Sequence, residues 1–186
     1  MLKFLIKRFA TGEFRRDETG SVSLEAIIMM PLVFWTYLAM FSFFNTYQEY
    51  NVNQKAAYTI GDMISRETLP IDSAYLDGVQ DLLDYLTHSR TDAAVRITSL
   101  RYDKEDLRFY VHWSRARGGK QPVTNADVAN WTNRVPTLTD GEYIVITETW
   151  TDYAIPFNVG LPDQNIANFV YTRPRYAPRV LYEGSI

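Results

Sequence analysis

The chain has 186 residues, with 19 lysines and arginines against 22 aspartates and glutamates, a net charge of −3, and no cysteine. That length allows one modest domain beside a membrane span. Without cysteine there are no disulfides, no lipoprotein attachment thiol and no thiolate metal site, and the mildly acidic balance points away from nucleic acid.

Residues 1–20 hold five bases, Lys3, Lys7, Arg8, Arg15 and Arg16, among Leu2, Phe4, Leu5, Ile6 and Phe9. They read as a basic leader. Gly20-Ser21-Val22-Ser23-Leu24-Glu25 then runs into Ala26–Phe44, AIIMMPLVFWTYLAMFSFF, and no charge falls between Glu25 and Glu49. A helix rises 1.5 Å per residue, so ~20 such residues match a hydrocarbon core of ~30 Å. The run is apolar all round, whereas a soluble amphipathic helix keeps a polar stripe. A transmembrane span over about residues 26–46 is therefore expected. A cleavable secretory signal fits poorly, because the apolar run is too long and Lys55-Ala56-Ala57 lacks the small-x-small site. Pro31 lies inside the span, where a membrane helix tolerates it. After the leader the first base is Lys55, which places the N-terminus in the cytoplasm and the rest of the chain outside.

Beyond Phe44 polarity rises but helical spacing persists through Val52, Ala56, Ile60, Met63 and Ile64. The spacing predicts one helix over 21–67, ended by Glu67-Thr68-Leu69-Pro70. A second helix is expected from Asp72 or Ser73, burying Leu76, Val79, Leu83 and Leu86, with Asp77, Asp81 and Asp84 on a solvated face. The period then changes to two. Val95–Tyr102 reads as a strand, Asp103–Asp106 as a turn, and Leu107, Phe109, Val111 and Trp113 as the inward residues of a second strand. Arg115–Val123, with Gly118, Gly119 and Pro122, reads as a loop. Asn125–Asn133 reads as a short helix and Glu142–Ala154 as a long strand. The tail from Pro156 reads as irregular, with a short strand around Phe169–Tyr171.

No residue set suggests catalysis, a cofactor or a metal, so the chain is read as a non-enzyme. His88 and His112 sit in different elements without ligand spacing. Asp77, Asp81 and Asp84 lack the compact loop of a calcium site. Gly118-Gly119-Lys120 lacks the first glycine and the Ser/Thr of a phosphate loop. Arg173, Arg175 and Arg179 form a basic patch that either contacts a partner or is an exposed tail.

A basic leader, Gly20, four residues, Glu25 and a long apolar helix resemble the class III signal of type IV pilin-like proteins. With Pro31 in the span, a short outer domain and Arg173-Pro174-Arg175, the chain resembles the TadE-like proteins of tight-adherence (Flp-type) pili. The resemblance is close over the N-terminal third and loose beyond it. It implies that a prepilin peptidase cuts between Gly20 and Ser21 on the cytoplasmic side. It makes Glu25 the recognition and assembly glutamate. It makes other pilins or pseudopilins, the inner-membrane assembly platform and membrane lipid the partners. Ser21 stands where many type IV pilins carry Phe, and the C-terminal cysteine pair of many pilins is absent. The expected architecture is α+β: a long N-terminal transmembrane helix packed on a small antiparallel sheet with one or two extra helices, residues 68–186 being extracytoplasmic. The expected role is a minor pseudopilin or assembly factor of a tight-adherence pilus in a bacterial inner membrane. A single-span sensor or ligand-binding module is the alternative.

Overall fold

The computed structural model describes residues 21–89 and 92–184. A long helix, α1 (Ser21–Ser65), packs on a four-stranded antiparallel sheet, so the chain is α+β as its patterning predicts. The helix is unbroken through Pro31. Its second half buries Asn53, Ala56, Ala57, Ile60, Gly61 and Ile64 at helical spacing. It ends at Ser65, and the Arg66 and Glu67 N–H groups close onto the carbonyls of Met63 and Ile64. The second helix, α2 (Ser73–Thr87), is capped by Asp72, whose carboxylate accepts the Tyr75 N–H at 2.7 Å. It ends at His88, which takes the left-handed conformation with φ 50. Leu76, Val79 and Leu83 are buried as expected, but the acidic face is not simply solvated. Asp77 pairs with Arg117 at 2.5 Å, and Asp84 accepts the Ala93 N–H at 2.7 Å.

The strands are β1 (Ala94–Asp103), β2 (Arg108–Arg117), β3 (Tyr143–Tyr153) and β4 (Gln164–Thr172), in the order β2-β1-β3-β4. Every neighbouring pair is antiparallel. The β1–β2 turn is held by Asp103, whose Oδ1 accepts the N–H groups of Glu105 and Asp106. One face of the sheet carries Val95, Ile97, Trp113 and Val145 against Ile60, Ile64, Leu76 and Leu83. The other carries Leu100, Tyr102, Phe109, Ile144 and Ile146. It is covered by the segment 118–142, with a short helix α3 (Asn125–Val128) and a 3-10 turn (Trp131–Asn133) burying Val128 and Trp131.

Five details depart from the sequence reading. Phe109, Val111 and Trp113 do not share a face. The register shifts so that Leu100 pairs with Val111 and Ser99 with Trp113, leaving His112 as a bulge. An extra residue reverses the alternation, so Trp113 turns to the helix side. Its Nε1 there donates to the Val180 carbonyl at 2.9 Å. Leu107 is exposed, at φ 52 in the turn. Strand β2 also continues to Arg117, and the loop begins only at Gly118. Gly118 has φ 70, and a Cβ there would lie 2.6 Å from the Ala94 backbone. The expected helix over Asn125–Asn133 is split into α3 and the 3-10 turn. Finally, β4 is nine residues long and the tail after it is docked. Ile71 and Tyr182 form a parallel bridge, and the Arg175 N–H donates to the Ser65 carbonyl at 2.8 Å.

Candidate functional site: an unpartnered apolar helix

The chain's strongest feature is what α1 leaves uncovered. Every residue from Val22 to Tyr37 is exposed, on all sides of the helix. Burial begins only around Leu38 and Ser42 and becomes a regular stripe from Asn53. One continuous helix of 45 residues thus has two halves, one packed on the sheet and one free. Leaving a Leu, Ile, Phe or Met side chain in water costs about 1.5–3 kcal/mol against burying it. Over roughly a dozen such side chains the sum, on the order of 20–30 kcal/mol, exceeds the 5–15 kcal/mol that holds a domain folded. Moving the free half from water into an apolar surround is therefore strongly favourable. Beyond the first turn, and apart from the Ile27 carbonyl to which Pro31 offers no N–H, its backbone groups are at helical spacing for bonding one another, and Thr36 Oγ1 donates to the Leu32 carbonyl at 2.9 Å, so its hydroxyl needs no water. This helix is long and apolar enough to cross a membrane.

The sequence-predicted residues fall at the two ends of α1. Ser21 opens the helix, Glu25 is exposed one turn later, and Pro31 lies in the free half. Gly20 and the leader lie outside the described residues. Arg173 and Arg175 sit at the other end. Along the axis, Glu25 and Asp62 are about 55 Å apart at 1.5 Å per residue. Arg175 pairs with Asp62 at 3.0 Å and Arg173 with Glu142 at 3.1 Å, although their side chains remain 59% and 60% exposed. They line an open groove of ≈ 360 Å³ with Pro136, Tyr171 and Pro174. Glu25, Pro31 and the arginines do not converge on one site.

Two groups escaped sequence reading. A polar cavity of ≈ 180 Å³ lies between α1, the end of α2 and the end of β3, lined by Glu49, Asn53, His88 and Asp152 among others. Asn53 Oδ1 and Thr151 Oγ1 are buried on its wall without a hydrogen-bond partner. The signal was present, since Asn53 interrupts an otherwise apolar stripe. The second is the Arg96–Glu148 pair, at 2.7 Å with the carboxylate side chain 6% exposed. The Arg96 guanidinium lies 5.1 Å from the Trp150 ring centroid, and its Nη1 also donates to the Gln121 carbonyl, tying the covering segment to the sheet. Elsewhere burial and a hydrogen bond to Glu67 push the Tyr75 hydroxyl well above the usual tyrosine range. The Thr124 backbone and hydroxyl hold the Asp127 carboxyl below the usual carboxylate range. Among the described residues no group of three or more His, Asp or Glu side chains is placed to hold a metal ion.

A long N-terminal apolar helix packed on a four-stranded antiparallel sheet is a pilin-like architecture. Comparison with protein-family models, with characterised proteins and with solved structures returned no match.

Proposed function

We propose that this chain is a minor pseudopilin or assembly factor of a tight-adherence pilus, anchored in a bacterial inner membrane by the first half of α1. The observation that supports it is the continuity of α1. A rigid helix passes from a fully exposed apolar half straight into the core of a small sheet domain. Such a helix offers its whole circumference to lipid or to neighbouring apolar helices, while the sheet domain, held outside, selects partners. The partners in this reading are a prepilin peptidase, other pilins or pseudopilins, the inner-membrane assembly platform and membrane lipid.

Glu25 gives the mechanism its polar element. A carboxylate costs about 2.5–3.5 kcal/mol at the centre of a membrane helix on insertion scales, which is an upper bound for Glu25 at the hydrocarbon edge. An ammonium 4 Å away returns about 4 kcal/mol at an effective dielectric of 20. Cutting after Gly20 would create that ammonium on Ser21, four residues before Glu25 on the same helix face. A neighbouring subunit's amine would serve equally and would set the register between subunits. Attraction and insertion cost are of the same order, so the pair's main effect is on specificity.

The test is the mass of the N-terminus in protein extracted from membranes of cells that hold a prepilin peptidase. The expected species begins at Ser21, and Gly20→Val abolishes it. Retention of residues 1–20 in the wild type would overturn this reading and return the chain to the single-span sensor class.

A further inference from the structure

From Tyr153, the last residue of β3, through the β3–β4 loop to Pro162 the chain reads YAIPFNVGLP, ten residues without a charge, between Asp152 and Asp163. Its neck is pinned: Asp163 Oδ1 accepts the Ile155 N–H at 3.1 Å, and Asn165 Nδ2 donates to Asp152 Oδ1. Its tip carries apolar side chains that the domain does not bury, Phe157 at 40% and Leu161 at 42% exposure. The loop lies against α1 at a telling height. The Phe157 ring meets the Phe41 ring edge-on, with centroids 5.8 Å apart. Phe41 lies eight residues before Glu49, the first charge after the apolar run, and so about 12 Å further along the helix axis. Phe157 therefore sits level with the apolar part of α1, not with the polar domain. Between loop and helix lies an open groove of ≈ 280 Å³, lined by Phe43, Tyr47, Tyr50, Ile155 and Leu161. Apolar walls with tyrosines at the rim suit the boundary between acyl chains and headgroups.

We propose that the β3–β4 loop is a second membrane contact, seated in the leaflet on the domain's side, with a phospholipid acyl chain in the groove against α1. The proposal rests on the membrane reading of α1. If α1 spans from about residue 26 to 46, its contact with Phe157 carries the loop tip below the headgroups, and Asp152 and Asp163 mark the waterline. The occupant is lipid rather than a second copy because the patch is continuous with the lipid-facing surface of α1. Because α1 is continuous with the domain, a second contact at the loop fixes the direction in which helix and domain tilt together on the membrane.

The test uses the full-length chain reconstituted in phosphatidylethanolamine–phosphatidylglycerol vesicles. The chain has no cysteine, so single replacements Phe34→Cys, Phe157→Cys, Leu161→Cys and Tyr176→Cys each accept one environment-sensitive fluorophore. Nitroxides on the lipid near the headgroup or at the chain end then report depth by quenching. The expected result is deep quenching at position 34. Positions 157 and 161 show shallow quenching at least twofold above that at position 176, which is exposed near the far end of α1. Quenching at 34 with none at 157 and 161 overturns the loop proposal and leaves the membrane reading standing. Labels at 157 and 161 that are blue-shifted but unquenched show coverage by protein and overturn it too. A label at 34 that no nitroxide quenches overturns the membrane reading and the loop proposal with it.

Discussion

His112 occupies the bulge that turns Trp113 to the helix side, and its environment makes it the most informative titratable residue of the domain. Its ring meets Tyr143 edge-on at 5.4 Å, and its Nδ1 is buried without a hydrogen-bond partner. Burial first, and the Arg179 guanidinium second, hold its pKa below the usual 6.5. The folded state therefore favours the neutral ring. The stability this contributes is complete above pH 6.5 and is lost as pH falls through the lowered folded value. In thermal unfolding from pH 7.5 to 5 the wild type should lose a few degrees more than His112→Leu, a small effect because solvent screens the half-exposed ring. Asp84 acts with the opposite sign. Burial raises its carboxyl despite the Ala93 N–H, so acid relieves a cost there. It is common to both proteins and cancels in the comparison. Equal pH slopes would show that the ring contributes nothing. The bulge was not legible in the sequence, because Phe109, Val111 and Trp113 keep perfect alternation and only pairing with β1 reveals the extra residue.

Among the elements, α1 and α2 were readable almost to the residue, and β4 was not. The helices announce themselves by apolar spacing, the Asp72 cap and Pro70. In β4 the helix-facing positions are Gln164, Ile166, Asn168, Val170 and Thr172, so polar residues interrupt the alternation that sequence reading depends on. The strand exists because β3 offers a long partner, a tertiary cause that local pattern does not record. The contact of α1 with this sheet turns on Gly61. A Cβ there would lie 3.3 Å from Thr172 Cγ2 and 3.5 Å from Val170 Cγ1, and the Gly61 carbonyl already accepts from Thr172 Oγ1 at 3.3 Å. Gly61→Leu should overpack this contact and cost about 1–3 kcal/mol in denaturant unfolding of the detergent-solubilised chain. Gly78, exposed in α2 with nothing within 4 Å of a Cβ, is the counter-case. There Gly78→Ala should gain about 0.8–1 kcal/mol from helix propensity. A neutral Gly61→Leu would mean that the helix rides higher on the sheet than described.

At the scale of the molecule, the division of labour within α1 was legible, because hydropathy and helical spacing change character near Phe44 with no break in the helix signals. The candidate site was legible only in part. Glu25 and Pro31 lie on the free half, while Arg173 and Arg175 pair with Glu142 and Asp62 and keep most of each side chain exposed. Distant pairing of this kind leaves no trace in local sequence. The proposed function requires that the exposed half of α1 pack against other subunits within the membrane and that Glu25 direct that packing. A photo-crosslinking amino acid in place of Val33, in membranes of cells that carry a tight-adherence pilus system, tests this most directly. The expected result is adducts between this chain and other apolar-helix subunits, reduced at least tenfold by Glu25→Ala while the amount in the membrane is unchanged. Lipid adducts alone, or protein adducts of equal strength in both proteins, would contradict it.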